Sequence, residues 1–127
     1  MKQVGAVDAT TNPSILLAAS KLDDYKRFLD EGIAYAKKFG SSLNREELRA
    51  LAVEKIAVLM GKEVLSVVPG RVSTEVDARL AFDKDAQIAK ALTIIKLYEE
   101  EAITKERVLI KLPSTWEGIQ AARFIIN

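Results

Sequence analysis

Residues 107–112 read Arg-Val-Leu-Ile-Lys-Leu, and this short run decides the fold that the sequence predicts. Its apolar residues are nearly continuous over the length of one strand, which is typical of strands buried on both faces of a parallel sheet. Residues 71–76, Arg-Val-Ser-Thr-Glu-Val, alternate β-branched and polar side chains and predict a second strand. Residues 3–8, Gln-Val-Gly-Ala-Val-Asp, predict a third strand near the start of the sequence.

Segments in which apolar residues recur at helical spacing separate these strands. Asn12 followed by Pro13 is a helix-start signal, because the Asn side chain accepts from first-turn amides and Pro fits the first helical position. Residues 15–19 are expected to form a short buried helix after it. A second helix is expected to begin near Asp23 and to end at Gly40, a natural C-terminal cap.

A longer helical pattern follows Asn44 and ends in a turn at residues 69–70. Asn44 and Glu47 have the spacing of a capping box, in which each side chain hydrogen-bonds to the backbone of the other residue. Gly61 lies inside the apolar pattern. There it is expected to bend or end the helix, and to destabilise it by about 1 kcal/mol relative to Ala.

Two further helices are predicted in the second half of the chain. Asp83 is expected to cap the first of them, and Ser114 with Glu117 matches a second capping box before the other. Trp116 and Phe124 belong to the last predicted helix, and both are expected to lie in the core.

The predicted order of elements is strand, helices, strand, helix, strand, helix. Strands that alternate with helices pair in parallel through right-handed crossovers. The sequence therefore predicts an α/β fold in which about three parallel strands with flanking helices form a single domain over residues 1–127.

Composition narrows the chemistry that this chain can perform. Its 127 residues include 19 Lys and Arg against 18 Asp and Glu, a net charge of +1, and neither Cys nor His. Thiol nucleophiles, Cys- and His-based zinc sites and Ser-His-Asp triads are thereby excluded. Acid–base or covalent chemistry must come from Asp, Glu, Lys, Tyr, Ser or Thr.

The same figures bear on partners and location. Near-neutral charge argues against a nucleic-acid partner, and no apolar run reaches the ~18 residues of a membrane-spanning helix. The first residues, Met-Lys-Gln-Val-Gly-Ala-Val, do not have the pattern of a signal peptide. We expect a cytoplasmic protein with no nucleic-acid or membrane partner.

Lys111 is the most unusual residue of the sequence, because it lies between Ile110 and Leu112 in the most apolar strand. An unpaired ammonium buried there would be costly, so the amine is expected either to be held neutral or to meet a carboxylate. A neutral Lys is a nucleophile that forms Schiff bases with ketones. The alternatives are a charge that protects an exposed strand edge, or a side chain that extends to solvent.

Glu75 lies on the polar side of the second predicted strand. This position is compatible with general acid–base catalysis beside an amine, but the pattern alone favours a structural ion pair to Arg71, Arg79 or Lys111.

Four polar residues near the predicted strand ends are further candidates. Thr10 and Asn12 are candidates for holding substrate hydroxyls, and the alternative for Asn12 is a purely capping role. Asp8 and Asp77 are candidate catalytic carboxylates, although Asp residues in turns usually accept from nearby backbone amides.

Three blocks of the sequence resemble the transaldolase family in order and spacing. They are residues 8–14 (DATTNPS), residues 69–80 (PGRVSTEVDARL) and residues 110–119 (IKLPSTWEGI). The helical segments between them are also similar, so the resemblance covers nearly the whole chain apart from the first few and the last four residues.

This resemblance implies a fold and a reaction. Transaldolases are (β/α)8 TIM barrels of the pentose phosphate pathway. They transfer a dihydroxyacetone unit from sedoheptulose 7-phosphate or fructose 6-phosphate to glyceraldehyde 3-phosphate or erythrose 4-phosphate. Sugar phosphates are therefore the expected partners, and the family pattern includes no metal or organic cofactor.

The resemblance also assigns roles to individual residues. Lys111 matches the Schiff-base lysine of the family, and Glu75 matches the carboxylate that acts with a water in forming and breaking the imine. Asn12 and Thr10 match polar positions near the hydroxyls of the substrate.

A (β/α)8 barrel needs about 250 residues, so the chain is expected to be an N-terminal or central portion of the barrel. The aspartate that serves C–C cleavage in the family has no counterpart here, and Asp8 belongs to a different block. The family's Thr beside the catalytic water and its Ser/Arg phosphate-binding site also have no counterpart.

Two other interpretations compete with a Schiff-base enzyme. The first is a non-catalytic α/β fragment that acts through self-association, with a homodimer covering its open sheet edges. The second is a phosphoacceptor signalling domain, which would need a cluster of acidic residues at the first strands that this sequence lacks.

Overall fold

A computed structural model describes residues 5–126 and has a small parallel sheet with helices packed against it. The elements in chain order are β1 (Ala9–Thr10), α1 (Pro13–Ala19), α2 (Lys26–Phe39), α3 (Arg45–Leu65), β2 (Val72–Glu75), α4 (Lys84–Glu100), β3 (Val108–Lys111) and α5 (Trp116–Ile126). Short 3₁₀ turns lie at Asp23–Tyr25, Ala78–Leu80 and Lys105–Arg107.

The sheet has the strand order β1-β2-β3, and both pairings are parallel. Val72 in the middle strand is the Cα partner of Ala9 on one side and of Val108 on the other. The prediction of three parallel strands with flanking helices is confirmed, and the fold is consistent with part of a TIM barrel. Among residues 5–126, no helix is both long and apolar enough to cross a bilayer.

The first strand lies later than predicted. The prediction was residues 3–8, whereas β1 is Ala9–Thr10. The described part of the predicted range, residues 5–8, contains no strand, and the remainder lies outside the described residues. The N–H of Ala9 donates to the carbonyl of Arg71 at 2.9 Å, so backbone pairing with the residues of β2 determines where β1 forms.

One face of the sheet packs against α3 and α4. Val72 and Val108 lie in a buried cluster with Val58 of α3 and Ile94 of α4. The hydroxyls of Thr74 and Tyr98 hydrogen-bond at 2.6 Å inside this layer. This face of β2 and β3 is therefore the core of the described structure.

Helix α1 is less buried than the sequence suggested. Asn12 caps it as predicted, but no residue of α1 is buried, and Leu17 is 63% exposed. Leu16 and Ala19 pack against a second small cluster that includes Phe28. The prediction of a buried helix was wrong because α1 is amphipathic and contacts the protein along one side.

Helix α3 carries the predicted capping box and passes through Gly61 without ending. Asn44 Oδ1 accepts from the Glu47 N–H at 3.0 Å, and Glu47 Oε2 accepts from the Asn44 N–H at 2.8 Å. The predicted end of the helix at Gly61 was wrong, because α3 continues to Leu65. Gly61 is buried, and a Cβ there would overlap the phenol of Tyr98, so the glycine allows α3 and α4 to approach closely.

The other predicted helix ends are mostly confirmed. Gly40 follows α2, and its N–H donates to the Ala36 carbonyl at 2.8 Å. Asp83 Oδ1 accepts from the Ala86 N–H at 2.9 Å and caps α4. Helix α2 begins at Lys26, after the 3₁₀ turn at Asp23–Tyr25.

The start and the outer surface of α5 differ from the prediction. Thr115, not Ser114, caps the helix, because its hydroxyl accepts from the Gly118 N–H at 3.1 Å. Trp116 and Phe124 are 71% and 64% exposed, so the expectation that both lie in the core was wrong. The small residues of α5, Gly118 and Ala121, take the buried positions instead.

A partly buried ion-pair cluster joins α3 to the end of α4. Glu101 accepts from Lys55 Nζ at 2.6 Å and from Lys62 Nζ at 2.8 Å. Burial alone would raise the pKa of Glu101, but the hydrogen bonds from the two ammonium groups outweigh it and hold this pKa below its usual value.

We expect the Glu101→Gln variant to be less stable than the wild type by about 1.5–3 kcal/mol at neutral pH. Because the folded-state pKa of Glu101 is lowered, its stabilising contribution is present above the unfolded pKa of about 4.3. The contribution is lost as the pH falls through the folded-state value. Urea unfolding at about pH 7 and about pH 3 should therefore show a difference between the two proteins that shrinks on acidification. Glu99→Gln, an exposed neighbour, is the matched control, and a difference independent of pH would contradict the assignment.

Candidate active site

The carboxyl ends of β2 and β3 bring Glu75 and Lys111 together. The two residues are Cα partners in the sheet, and Lys111 Nζ lies 2.8 Å from Glu75 Oε2. Lys111 Nζ also donates to the backbone carbonyl of Thr11 at 3.2 Å. Of the two environments expected for Lys111, the structure shows the one with a carboxylate partner.

This pair lies on the sheet face opposite the helical layer of α3 and α4. Side chains alternate along a strand, so Ser73 and Glu75 project away from the side of buried Val72 and Thr74. Leu109 and Lys111 share the face of Ser73 and Glu75 through the strand register. The side chains of Lys111 and Glu75 are 40% and 25% exposed, which leaves both accessible to a small molecule.

The Lys111 side chain makes its contacts across the sheet. β3 is an edge strand of the described sheet. Lys111 Nζ contacts Glu75 on β2 and the carbonyl of Thr11 just after β1. The amine therefore projects over the face of the sheet, toward its polar neighbours.

Thr10 lies near this pair, and Asn12 is occupied by the cap. Thr10 is the Cα partner of Ser73, so its exposed side chain lies on the same face as Glu75. Asn12 Oδ1 accepts from the Ile15 N–H at 2.8 Å, as expected for an N-cap. This bond leaves the Asn12 amide nitrogen as the group with which Asn12 can donate to a ligand.

Asp8 and Asp77 take the structural roles that the sequence left open for them. Asp8 Oδ1 accepts from the Arg71 N–H at 2.6 Å, near the start of β2 and away from the Lys111 end. Asp77 accepts from both the N–H and the side chain of Arg79. The side-chain hydrogen bond from Arg79 is the largest cause that lowers the pKa of Asp77.

Thr11 is a site residue that the sequence analysis did not single out. It is 4% exposed, and its hydroxyl donates to the Ser73 carbonyl at 3.1 Å. Its contribution to the pair is the carbonyl that accepts from Lys111, and a backbone acceptor leaves no signal in side-chain chemistry.

A further Lys–Glu pair in the helical layer is formed by Lys90 and Glu54. Lys90 Nζ lies 2.7 Å from Glu54 Oε1, and the two side chains are 34% and 15% exposed. Burial raises the pKa of Glu54 more than Lys90 lowers it, and Glu54 Oε2 has no hydrogen-bond partner among the described atoms. This pair matches Lys111–Glu75 in distance but lies away from the polar sheet face.

Comparison with known proteins shows the family of the chain. The family model described as Transaldolase/Fructose-6-phosphate aldolase matches residues 1–127. Over 116 residues the chain is 60% identical to a transaldolase of Kluyveromyces lactis, 57% identical to one of Bos taurus and 55% identical to one of Homo sapiens. The chain belongs to the transaldolase/fructose-6-phosphate aldolase family.

Each of these alignments covers 91% of this chain and 34% of the relative. The chain therefore spans about a third of the length of the curated relatives it matches.

We expect two substitutions of Asn12 to test its capping role. Asn12→Ala should lower the free energy of unfolding by about 1 kcal/mol, because the first turn of α1 loses its acceptor. Asn12→Asp keeps that acceptor and should remain within about 0.5 kcal/mol of the wild type. Urea unfolding measures both values, with Ser14→Ala, exposed in the same helix, as the control. Equal losses in the two Asn12 variants would show that the cap does not stabilise α1.

Proposed function

We propose that Lys111 forms a Schiff base with the C2 carbonyl of a ketose phosphate and transfers its dihydroxyacetone unit to an aldose phosphate. The observation that carries the proposal is the 2.8 Å contact between Lys111 Nζ and Glu75 Oε2 on the polar face of the sheet. Membership of the transaldolase/fructose-6-phosphate aldolase family supports the same reaction class.

The first half of the reaction needs an amine and a group that exchanges protons beside it. Neutral Lys111 attacks the C2 carbonyl and forms a carbinolamine. Glu75, which has taken the proton of the ammonium, returns it to the carbinolamine hydroxyl so that water leaves and the protonated imine forms. The contact between the two side chains allows this transfer without a large movement.

The protonated imine then withdraws electrons from the substrate. The C3–C4 bond breaks as a base accepts the proton of the C4 hydroxyl, and an aldose phosphate leaves. The enamine of the remaining three carbons stays attached to Lys111 and attacks the aldehyde of the acceptor, which forms a new C–C bond. Hydrolysis of the resulting imine, with Glu75 activating water, releases the ketose product and the free amine.

Sedoheptulose 7-phosphate and fructose 6-phosphate are the proposed donors, and glyceraldehyde 3-phosphate and erythrose 4-phosphate are the proposed acceptors. The hydroxyl of Thr10 and the amide nitrogen of Asn12 are proposed to bind substrate hydroxyls. The exposed position of Thr10, on the same sheet face as Glu75, supports this role. We propose the pentose phosphate pathway as the context of the reaction and the cytoplasm as its compartment.

Borohydride trapping tests the central step directly. We expect incubation with fructose 6-phosphate followed by borohydride to reduce the imine to a stable secondary amine at Lys111, detected by peptide mass spectrometry. Lys111→Met should remove this adduct. Glu75→Gln should lower its yield about tenfold or more, since general acid–base catalysis contributes about 100-fold or more in enzymes.

The Lys90–Glu54 pair supplies a matched control for this experiment. Lys90→Met removes an amine that is equally close to a carboxylate but lies in the helical layer, so the adduct at Lys111 should persist in that variant. Equal labelling of Lys90 and Lys111, or no labelling of Lys111, would refute the proposed function.

A non-catalytic role through self-association is the second candidate, and exposed apolar side chains on α5 favour it. Phe124 and Ile126 are 64% and 83% exposed. Unpartnered apolar surface of this kind often marks a contact with another chain.

Light scattering separates the two candidates. Self-association predicts a molar mass of about twice 14.0 kDa that returns to that of one chain when Phe124 and Ile126 are both replaced by Gln. Phe82→Gln, exposed on the loop between β2 and α4, is the control that should not change the mass. A mass of 14.0 kDa for the unaltered chain would refute this candidate.

A further inference from the structure

The loops that follow β2 and β3 leave the sheet next to the candidate active site. Glu75 and Lys111 are the last residues of their strands, and the N–H of Val76 donates to the Lys111 carbonyl at 3.0 Å just beyond them. The loops after the two strands therefore begin directly beside the two side chains.

Gln87 on α4 holds the loop after β2. The residue is fully buried, and its Nε2 donates to the Leu80 carbonyl at 2.9 Å and to the Ala81 carbonyl at 3.1 Å. The orientation of the amide follows from these contacts, because a carbonyl oxygen in the same place would face two other carbonyl oxygens. Its Oε1 has no hydrogen-bond partner among the described atoms.

Thr115 connects this loop to the loop after β3. Its hydroxyl donates to the Ala81 carbonyl at 2.5 Å and accepts from the Gly118 N–H at 3.1 Å. The Ala81 carbonyl is therefore shared by Gln87 and Thr115 and joins α4 to the start of α5.

Gly118 makes this arrangement fit. A Cβ at Gly118 would overlap the Pro113 carbonyl and lie 3.2 Å from Gln87 Oε1. The three groups pack directly against one another beneath the loop that follows Lys111. The cluster therefore connects α4 to the loops after both strands.

We propose that Gln87 is a positioning residue for the Glu75–Lys111 pair. Through the Leu80 and Ala81 carbonyls it holds the loop after β2, and through Thr115 the same carbonyl holds the loop after β3. The effect of Gln87 on catalysis rests on the proposed function, whereas its effect on the distance between Glu75 and Lys111 does not.

Zero-length cross-linking measures that geometry without any turnover. A water-soluble carbodiimide activates the Glu75 carboxyl group, the Lys111 amine attacks the acyl carbon, and an amide forms as the urea leaves. The amide-linked peptides are quantified by mass spectrometry. The Lys62–Glu101 pair is the internal reference, because its two charged groups are also 2.8 Å apart and Glu101 lies at the opposite end of α4 from Gln87.

We expect Gln87→Met to lower the ratio of the Glu75–Lys111 product to the Lys62–Glu101 product about fivefold. Methionine is also unbranched and fits a buried site, but it cannot donate to the two carbonyls. Thr115→Val should lower the same ratio, and Thr115→Ser, which keeps the hydroxyl, should restore it.

The outcomes separate this inference from the proposed function. An unchanged ratio in Gln87→Met and Thr115→Val overturns the positioning role, as does an equal fall of both products or a wild type that gives no Glu75–Lys111 product. If Gln87→Met does not fold, the comparison of Thr115→Val with Thr115→Ser decides. A selective fall of the ratio in a protein that forms no sugar adduct at Lys111 supports the positioning role and refutes only the proposed function.

Discussion

The arrangement of the molecule depends on the register between β2 and β3. Because Glu75 and Lys111 are Cα partners at the ends of these strands, a carboxylate and an ammonium meet at 2.8 Å on the face away from the helical layer. A slip of one residue in β3 would turn Lys111 toward the apolar cluster around Val72 and Val108. The ammonium would then lose both its carboxylate and its access to water, which is far more costly than the partly exposed pair.

Contacts at both ends of the two strands hold this register. Arg107, which directly precedes β3, donates to the carbonyls of Gly70 at 2.5 Å and Val68 at 3.1 Å. These hydrogen bonds connect the segment before β3 to the segment before β2. At the other end, Gln87 and Thr115 share the Ala81 carbonyl. The helical layer between these ends is closely packed, as the contact of Tyr98 with Gly61 shows. The helices α3 and α4 therefore hold the sheet from the face opposite to Glu75 and Lys111.

Local sequence signals predicted the features that local interactions create. Asn12, Asn44 and Asp83 cap their helices, because each side chain accepts from amides only two or three residues ahead. The predictions failed where distant parts of the chain set the environment. The position of β1 follows from pairing with β2, and the exposure of Trp116 follows from the small residues that α5 turns toward the core.

The sequence by itself determined which chemistry is available: no Cys or His, a lysine within an apolar strand, and a glutamate on the polar side of an alternating one. It also determined the family, through three blocks of residues at fixed spacing. Only the tertiary structure decided that these two side chains touch, and that Lys111 also reaches the carbonyl of Thr11, 100 positions away in the chain. Strand register and helix packing are collective properties of residues far apart in sequence, so no local pattern can specify them.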